Sequence, residues 1–373
     1  ISWTSDHKLS GVAYLAVRLK WDSDVYSSIP TIHAIVKGRK VYDARTSTTA
    51  YSSNPALCLR DYLTNTRYGK GLATSSINDT LFNSAANKCD EDVTPYSGGT
   101  AQNIFECHAV LDTGKALMTN VQILLSGMRG LLPYSQGVYG LIVEDEGSSV
   151  YIFTEDHIIG GIQIDGVQKK NRYNRVIATY INPDNNYQTD QIEYPPASSS
   201  EYTTYLTEDG NIPLEKKISL STINNIYTAE DIAEIVLKRS RQGIVCSFNC
   251  TSEALQVSIG DIVGVTHTTP AWSAKPIRIA RMMLKVNGTV DLELTEHQDS
   301  IYPWSSKTEA DDIPDTTLPD PFSVIAPTSL ATVESLYDTI GSAGVKVRVA
   351  ISWTASTDKF VEKYTVEWKK SAD

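Results

Sequence analysis

The segment 54–72 constrains the fold of this chain more than any other stretch, because it specifies one helix together with both of its ends. Asn54 can cap a helix, and Pro55 suits the first helical turn. An apolar stripe with helical spacing follows, formed by Ala56, Leu59 and Leu63. The stretch 67–71 contains two glycines and predicts a turn after the helix. The stripe predicts a helix docked on a core, and nothing in it performs chemistry.

Length and charge limit the classes of protein to which this chain can belong. Its 373 residues exceed the usual size of a single hydrophobic core, so we expect two or three cores. Apolar runs such as 121–125 are too short to span a bilayer. The net charge of −11 disfavours nucleic-acid binding, which needs clustered Lys and Arg. The best basic patch is more typical of a solvated strand edge; it consists of Lys169, Lys170, Arg172 and Arg175.

The cysteines and the first residues bear on the compartment. The chain begins at Ile1 without Met or a leader-like pattern, so we expect no secretory signal here and a longer parent polypeptide. An odd number of cysteines without a CxxC pair predicts reduced thiols in a chain folded in cytoplasm; they are Cys58, Cys89, Cys107, Cys246 and Cys250. Cys246 and Cys250 would lie roughly 13 Å apart on an extended strand, too far for a bond. We interpret these two as small buried side chains.

The pattern along the chain predicts five segments. They are the end of a preceding β-rich domain (1–45), a mixed α/β domain (46–150), a mainly β domain with one helix (151–302), a Pro-rich linker (303–326) and a partial β-sandwich (327–373). In the last segment, 345–353 alternates up to Trp353, and Tyr364, Val366 and Trp368 alternate again. This pattern resembles the first strands of a fibronectin type III sandwich.

Local signals place further elements within these segments. Predicted helices are 76–88, with a Ser76-Asp79 capping box, a helix opened by Thr113, and one starting at a capping box at Thr228. Predicted strands are 104–111, 137–143, 149–154, 176–181, 244–251, 255–265, 275–286 and 290–295, besides those of 8–45. The stretch 195–205 is rich in Ser, Thr and Pro and predicts an exposed loop.

No pattern of catalytic or metal-ligating residues stands out. The six histidines are scattered without ligand spacing, and His108 would point away from Cys107 on a strand. The acidic clusters 90–92, 144–146 and 311–312 fall at predicted turns or the linker, where solvated carboxylates are commoner than a glycosidase pair. A metal cluster held by several cysteines stays open, because it needs a convergence that sequence does not reveal. We predict no enzyme, no cofactor and no metal.

The residues of the first helix also carry a family resemblance. The stretch 54–63 resembles the Asn-Pro-Ala-x-Cys-Leu-x-Asp-Tyr-Leu segment of the tail tip attachment protein J, or host specificity protein J, family of long-tailed bacteriophages. Stretches 11–22, 29–43, 82–93, 180–190 and 258–279 resemble the same family in the same order, so the similarity covers residues 8–325. The signature residues, interpreted as structural, are Asn54, Pro55, Ala56, Cys58, Leu59, Asp61, Tyr62, Leu63, Tyr68 and Gly69.

The resemblance implies a fold, a function and partners. The fold would be α+β and β-rich, with several domains of the phage baseplate-hub type followed by the beginning of a fibronectin type III β-sandwich. The chain would be a structural virion protein, a central tail-tip or baseplate hub that links the tail tube to the host-recognition tip during adsorption. Expected partners are two further copies in a homotrimer, other phage tail-tip proteins, and a host outer-surface receptor that binds parts outside this chain.

The same resemblance places the protein at the tail tip of the virion, after assembly in the host cytoplasm, without sequence-specific binding of nucleic acid. The sequence is also compatible with two other interpretations. A polysaccharide-degrading enzyme with a fibronectin module would need two carboxylates facing each other across a cleft. A bacterial surface adhesin would bring an export signal and usually paired cysteines.

Overall fold

The computed structural model describes residues 14–20, 28–29, 32, 34–166, 171–310, 324–338, 344–358 and 361–369. The chain divides into two compact units, Ile1–Ala310 and Asp311–Asp373. The helices of the described ranges all lie in the first unit: α1 (Pro55–Thr64), α2 (Asp79–Cys89), α3 (Leu117–Ser126), α4 (Ser200–Glu208) and α5 (Ile226–Ser240). Across the described ranges, no helix has both the length and the apolar character needed to cross a membrane.

Short strand pairs surround the first three helices. The strands are β1 (Lys40–Asp43), β2 (Thr48–Tyr51), β3 (Asp92–Val93), β4 (Gln102–Asn103), β5 (Gly130–Leu131), β6 (Tyr134–Ser135), β7 (Val138–Tyr139) and β8 (Ile142–Val143). They pair antiparallel as β1-β2, β3-β4, β5-β8 and β6-β7. Within the predicted strand region 8–45, β1 is the strand found among the described residues.

Two larger sheets complete the first unit. Their strands are β9 (Tyr151–Phe153), β10 (Ile158–Gly166), β11 (Arg175–Asn182), β12 (Gln188–Tyr194), β13 (Glu215–Ser219), β14 (Ile244–Cys250), β15 (Ile262–His267), β16 (Trp272–Leu284) and β17 (Val290–Glu296). The six-stranded sheet has the order β10-β14-β17-β16-β15-β9, and the three-stranded sheet the order β12-β11-β13. In the second unit, β18 (Thr328–Asp338) pairs antiparallel with β19 (Val345–Thr354).

The first unit has two main hydrophobic cores. One is built by α1, α2, α3 and α5 with the three-stranded sheet, and it includes Leu59, Phe82, Val121, Ala178 and Ile232. The other lies on the six-stranded sheet and includes Phe153, Phe248, Val263, Ile277 and Leu292. The first core takes residues from both predicted segments 46–150 and 151–302. The β-rich α+β fold class is thereby confirmed, whereas the domain limits stay predictions.

Three predicted helix starts differ from the structure. The cap of α2 is Asn78, which accepts from the amide of Leu81, because Ser76 lies in a preceding 3-10 turn. The cap of α5 is Asn225, three residues before the predicted Thr228, whose hydroxyl donates instead to the Ile104 carbonyl. The third helix begins at Leu117 and not at Thr113. At α2 and α5 a neighbouring asparagine side chain accepts from the first helical amides, whereas Ala116 precedes α3 without a side-chain cap bond.

Four predicted stretches take another form. Residues 104–111 do not belong to a strand; their amides bond to scattered carbonyls such as those of Ser53 and Thr222. The predicted loop 195–205 contains the start of α4, which Ser199 caps by accepting from the amide of Tyr202. The predicted strand 255–265 begins as a 3-10 turn, and β15 starts at Ile262. Residues 361–369 contain no strand.

Candidate interaction site around the signature helix

The helix α1 begins with an asparagine cap that is itself buried. The Oδ1 atom of Asn54 accepts from the amides of Ala56 at 3.0 Å and Leu57 at 3.3 Å. Its Nδ2 atom donates to the Ala86 carbonyl of α2 at 2.9 Å. Asn54 is only 3% exposed, and Pro55 occupies the first turn. The predicted cap is therefore confirmed, and it also joins the two helices.

The apolar stripe of α1 lies in the core, as predicted. Ala56, Leu59 and Leu63 are each at most 1% exposed. Tyr62 is buried beside them, and its hydroxyl accepts from Nδ2 of Asn120 in α3 at 2.9 Å. These contacts fix α1 against two other helices, which agrees with a structural role for this part of the signature.

The turn after α1 depends on a glycine. A Cβ atom at Gly69 would lie 1.8 Å from the Tyr62 carbonyl oxygen, which is closer than real atoms approach. The same carbonyl accepts from the amide of Lys70 at 3.0 Å, so it cannot move without loss of that bond. The hydroxyl of Tyr68 donates to Asp61, and burial together with this bond raises the pKa of Tyr68 to about 12. The chain thereby folds back onto its own helix.

A cavity of about 890 Å³ opens beside α1. Four signature residues line one side: Cys58, Asp61, Tyr62 and Tyr68. The segments 34–39 and 107–111 line other sides, with Ile181, Tyr187 and Asn224. The signature therefore has two parts, one that builds the core and one that faces this cavity. We call the cavity-lining part, with its cavity, the signature site.

Two of the five free cysteines meet in this site. Cys58 and Cys107 both line the cavity and are half-buried, and the interaction between their thiols lowers the pKa of Cys58 and raises the pKa of Cys107. Cys89, Cys246 and Cys250 are each at most 1% exposed, which confirms the predicted burial of the last two. Burial raises the pKa of the Cys246 thiol to about 12. No spacing rule pointed to the Cys58–Cys107 contact, which only the fold reveals.

The side chain of His108 contacts Glu106 and not Cys107. Its Nε2 atom lies 3.2 Å from Oε2 of Glu106, and this bond holds the pKa of Glu106 below its usual range. In the part of the chain that the structure describes, no three His, Cys, Asp or Glu side chains are placed to hold a metal ion.

The acidic and basic clusters are largely paired with each other. The Oδ2 atom of Asp90 lies 2.8 Å from Nη2 of Arg45, and the Oδ2 atom of Asp145 lies 2.5 Å from Nζ of Lys88. Glu144 is 7% exposed and paired with Arg239, so its assignment to a solvated turn is wrong, because the fold places α5 against it.

The predicted basic patch is also neutralised where it is described. Arg172 pairs with Glu208 and Asp209, and Arg175 pairs with Glu193 and Glu215. Lys169, Lys170 and the acidic pair 311–312 lie outside the described residues. The described arginines therefore do not form an anion-binding surface.

One buried ionic cluster was not predicted from the sequence. Lys307 is paired with Glu234, and its Nζ atom lies 3.9 Å from Asp231, which is also 3.1 Å from Arg129. All four side chains are at most 8% exposed. Residues far apart in sequence meet here, so neither spacing nor composition could have indicated it.

Comparison with known proteins gives matches to phage tails. Residues 122–282 match the family model described as "Putative phage tail protein". The chain is 24% identical over 386 residues to baseplate hub protein pb3 of Escherichia phage T5, covering 98% of this chain and 39% of that protein. It is 26% identical over 144 residues to tip attachment protein J of Escherichia phage SECphi27, covering 38% of this chain and 12% of that protein. The chain thus spans well under half the length of these two relatives.

Solved structures with some likeness also come from virus-like particles and prophages. A chain of the virion of a native gene transfer agent particle aligns over 61% of this chain and 48% of its own, with a TM-score of 0.43 and 16% identity. The 43 kDa tail protein of prophage MuSo2 from Shewanella oneidensis aligns over 55% of this chain and 56% of its own, with a TM-score of 0.31 and 11% identity. The sequence matches confirm the family resemblance: this chain is related to the phage tail-tip and baseplate hub proteins.

Proposed function

We propose that this chain is a structural hub and connector of a phage tail tip, where three copies form a ring between the tail tube and the host-recognition tip. The observation that carries the proposal is the similarity to a baseplate hub protein over 98% of the chain. In this role the chain catalyses no reaction. Its partners are other tail-tip proteins, and the host receptor binds parts of the parent protein outside this chain.

An open sheet edge supports contact between copies. Strand β10 lies at one end of the six-stranded sheet, and one of its sides has no strand partner among the described residues. Ile159 and Ile164 are 45% and 41% exposed, and Asp165 is the only charged residue of the strand. Natural sheets usually protect such an edge with charges or a covering element. A long, weakly charged edge is therefore a surface on which a neighbouring copy can pack.

The β18-β19 hairpin supports the predicted β-sandwich of 327–373. One face of β19 carries Val345, Val347, Val349 and Ile351, which are 39–60% exposed. A two-stranded hairpin is marginally stable alone, and further strands are needed to cover an apolar face of this kind. We propose that the hairpin is the first part of a fibronectin-like sandwich that leads away from the hub.

Measurement of the mass in solution tests the ring. The chain at high concentration should sediment as a trimer of 41.0 kDa subunits. The variant Ile159→Lys places a charge on the exposed edge of β10 and should weaken the trimer at least about tenfold. The control Ile212→Lys changes another exposed isoleucine, 58% exposed, away from that sheet and should leave the mass unchanged. A monomer at every concentration, or equal effects of both variants, would contradict the proposed interface.

The place in the particle needs a separate experiment. Antibodies against this chain should label the tail tip of the parent phage in electron micrographs. Labelling of the capsid or the tail tube would show that the chain is not a tail-tip hub, whatever its oligomeric state.

A further inference from the structure

The Cys58–Cys107 pair brings two distant parts of the chain into contact. Cys58 lies in the first turn of α1, and its thiol donates to the Ser52 carbonyl at 3.7 Å. The amide of Cys107 donates to the neighbouring Ser53 carbonyl at 2.6 Å. These bonds to adjacent carbonyls hold Cys107 beside the start of the helix, where both cysteines line the same cavity.

Both thiols are accessible in a way that the other three are not. Cys58 and Cys107 line the signature site, whereas the remaining cysteines are enclosed in the cores. A small oxidant that enters the cavity can thus reach this pair in the folded chain. The interaction with Cys107 holds the pKa of Cys58 below its usual range, and the same interaction raises that of Cys107. Cys58 is therefore the thiol that loses its proton first, as expected near a helix N-terminus.

We propose that Cys58 and Cys107 form an oxidisable dithiol, which closes to a disulfide when the chain meets a low-molecular-weight disulfide such as oxidised glutathione. The Cys58 thiolate attacks one sulfur of the reagent and releases one glutathione thiolate, which leaves a mixed disulfide on Cys58. Cys107 gives up its proton and attacks the Cys58 sulfur, and the second glutathione leaves. The two protons appear on the two glutathiones, so one disulfide is reduced as one is formed.

The bridge would close the loop 58–107 and fix one side of the signature site to α1. The setting rests on the proposed function: a tail protein folds in a reducing cytoplasm and works outside the cell, where disulfides persist. Oxidation after release would then stiffen the tail tip without a change of fold. Closing a loop of this size should raise the Tm by about 5–10 °C.

The experiment uses the folded full chain and oxidised glutathione as the probe. After native incubation and alkylation, non-reducing digestion with mass spectrometry should give one linked peptide that joins Cys58 to Cys107. The intact mass should fall by two hydrogens, and a reductant should reverse both this change and the rise in Tm. The control Cys250→Ala removes a thiol of the other core and should still give the linked peptide.

Single variants test the order of the steps. Cys107→Ser should stop at a stable glutathione adduct on Cys58, whereas Cys58→Ser should react at least about tenfold more slowly at position 107. The proposal is overturned if the folded wild-type chain keeps both thiols alkylatable after incubation, or if linkage appears only in denaturant. It is also overturned if Cys89 is the partner. These readouts need neither a trimer nor a particle, so their failure is distinguishable from failure of the hub proposal.

Discussion

The substitution Asn54→Ala removes the buried cap of the signature helix. It deletes the acceptor of two amide bonds, from Ala56 and Leu57, and the donor to the Ala86 carbonyl. The carbonyl keeps its helical bond from Asp90, so it stays satisfied. The amides of Ala56 and Leu57 are left without a hydrogen-bond partner, because these residues are 0% and 3% exposed and water has little access to them.

The hydrogen bonds that are lost determine how much Asn54→Ala lowers the free energy of unfolding. Loss of an asparagine cap costs about 1 kcal/mol of the free energy of unfolding. Each buried donor left without a partner adds roughly 1–3 kcal/mol, less whatever the end of the helix regains by fraying. We therefore expect Asn54→Ala to lower the free energy of unfolding by about 2–4 kcal/mol. Asn54→Ser retains an acceptor and loses only the bond to Ala86, whose carbonyl stays satisfied, so it should recover most of this loss.

The chain provides a matched control in α2. Asn78 caps that helix through one bond, to the amide of Leu81 at 3.2 Å, and both residues are partly exposed. Asn78→Ala should therefore cost only about 0.5–1 kcal/mol, because water can replace the cap. Urea unfolding followed by far-UV circular dichroism measures both variants, and hydrogen exchange at Ala56 and Leu57 measures the local effect.

The comparison of the two caps can refute the reasoning. Equal losses for Asn54→Ala and Asn78→Ala, within about 0.5 kcal/mol, would mean that burial of the cap does not matter. Unchanged exchange at the amides of 56 and 57 would mean that Asn54 does not hold them in solution.

The remaining predictions concern a turn and a buried charge. Gly69→Ala should lower the Tm by at least about 5 °C because its Cβ meets the Tyr62 carbonyl, whereas Gly161→Ala, with open space around it, should change it by less than about 2 °C. Lys307→Met should cost about 3–5 kcal/mol by leaving Glu234 buried without its closest cation, measured by urea unfolding. Burial raises the pKa of Glu234, but Lys307 and other bonds bring it below 4.5, so the native chain loses this stabilisation as the pH falls through that lowered pKa. In Lys307→Met the pKa should rise, so the gap in stability to the native chain should narrow in acid; a constant gap would contradict the pairing.

Local elements were predictable where a single segment contains the whole signal. The helix α1 has its cap, its stripe and its turn within residues 54–72, and all three were confirmed. The strands of the six-stranded sheet around 244–251 and 290–295 were predicted to within two residues, because alternation is also local. The exact N-cap residue of a helix was less predictable, because several neighbouring polar residues can each act as the cap.

Elements that depend on distant contacts were not predictable. The stretch 104–111 has strand-like residues, but its neighbours are a helix start and a turn, which offer single carbonyls instead of a ladder. Strand β13 is largely charged, and it exists because β11 lies parallel beside it. The signature site likewise combines residues from separate parts of the chain, so only four of its lining residues belong to the motif that sequence singled out.

The end of the first unit shows how buried charges can set a boundary between units. The indole of Trp304 donates to the Thr94 carbonyl at 2.9 Å, and the amide of Lys307 donates to the Pro95 carbonyl at 2.8 Å. The ammonium of Lys307 belongs to the buried ionic cluster beside α5. A residue of an exposed linker would keep its charge in water, because burial of an ion is costly. The Pro-rich composition from 303 onward predicted a linker, yet residues 303–310 lie in the first compact unit. The contacts of Trp304 and Lys307 hold this segment on the core, and they depend on distant residues that composition does not reveal.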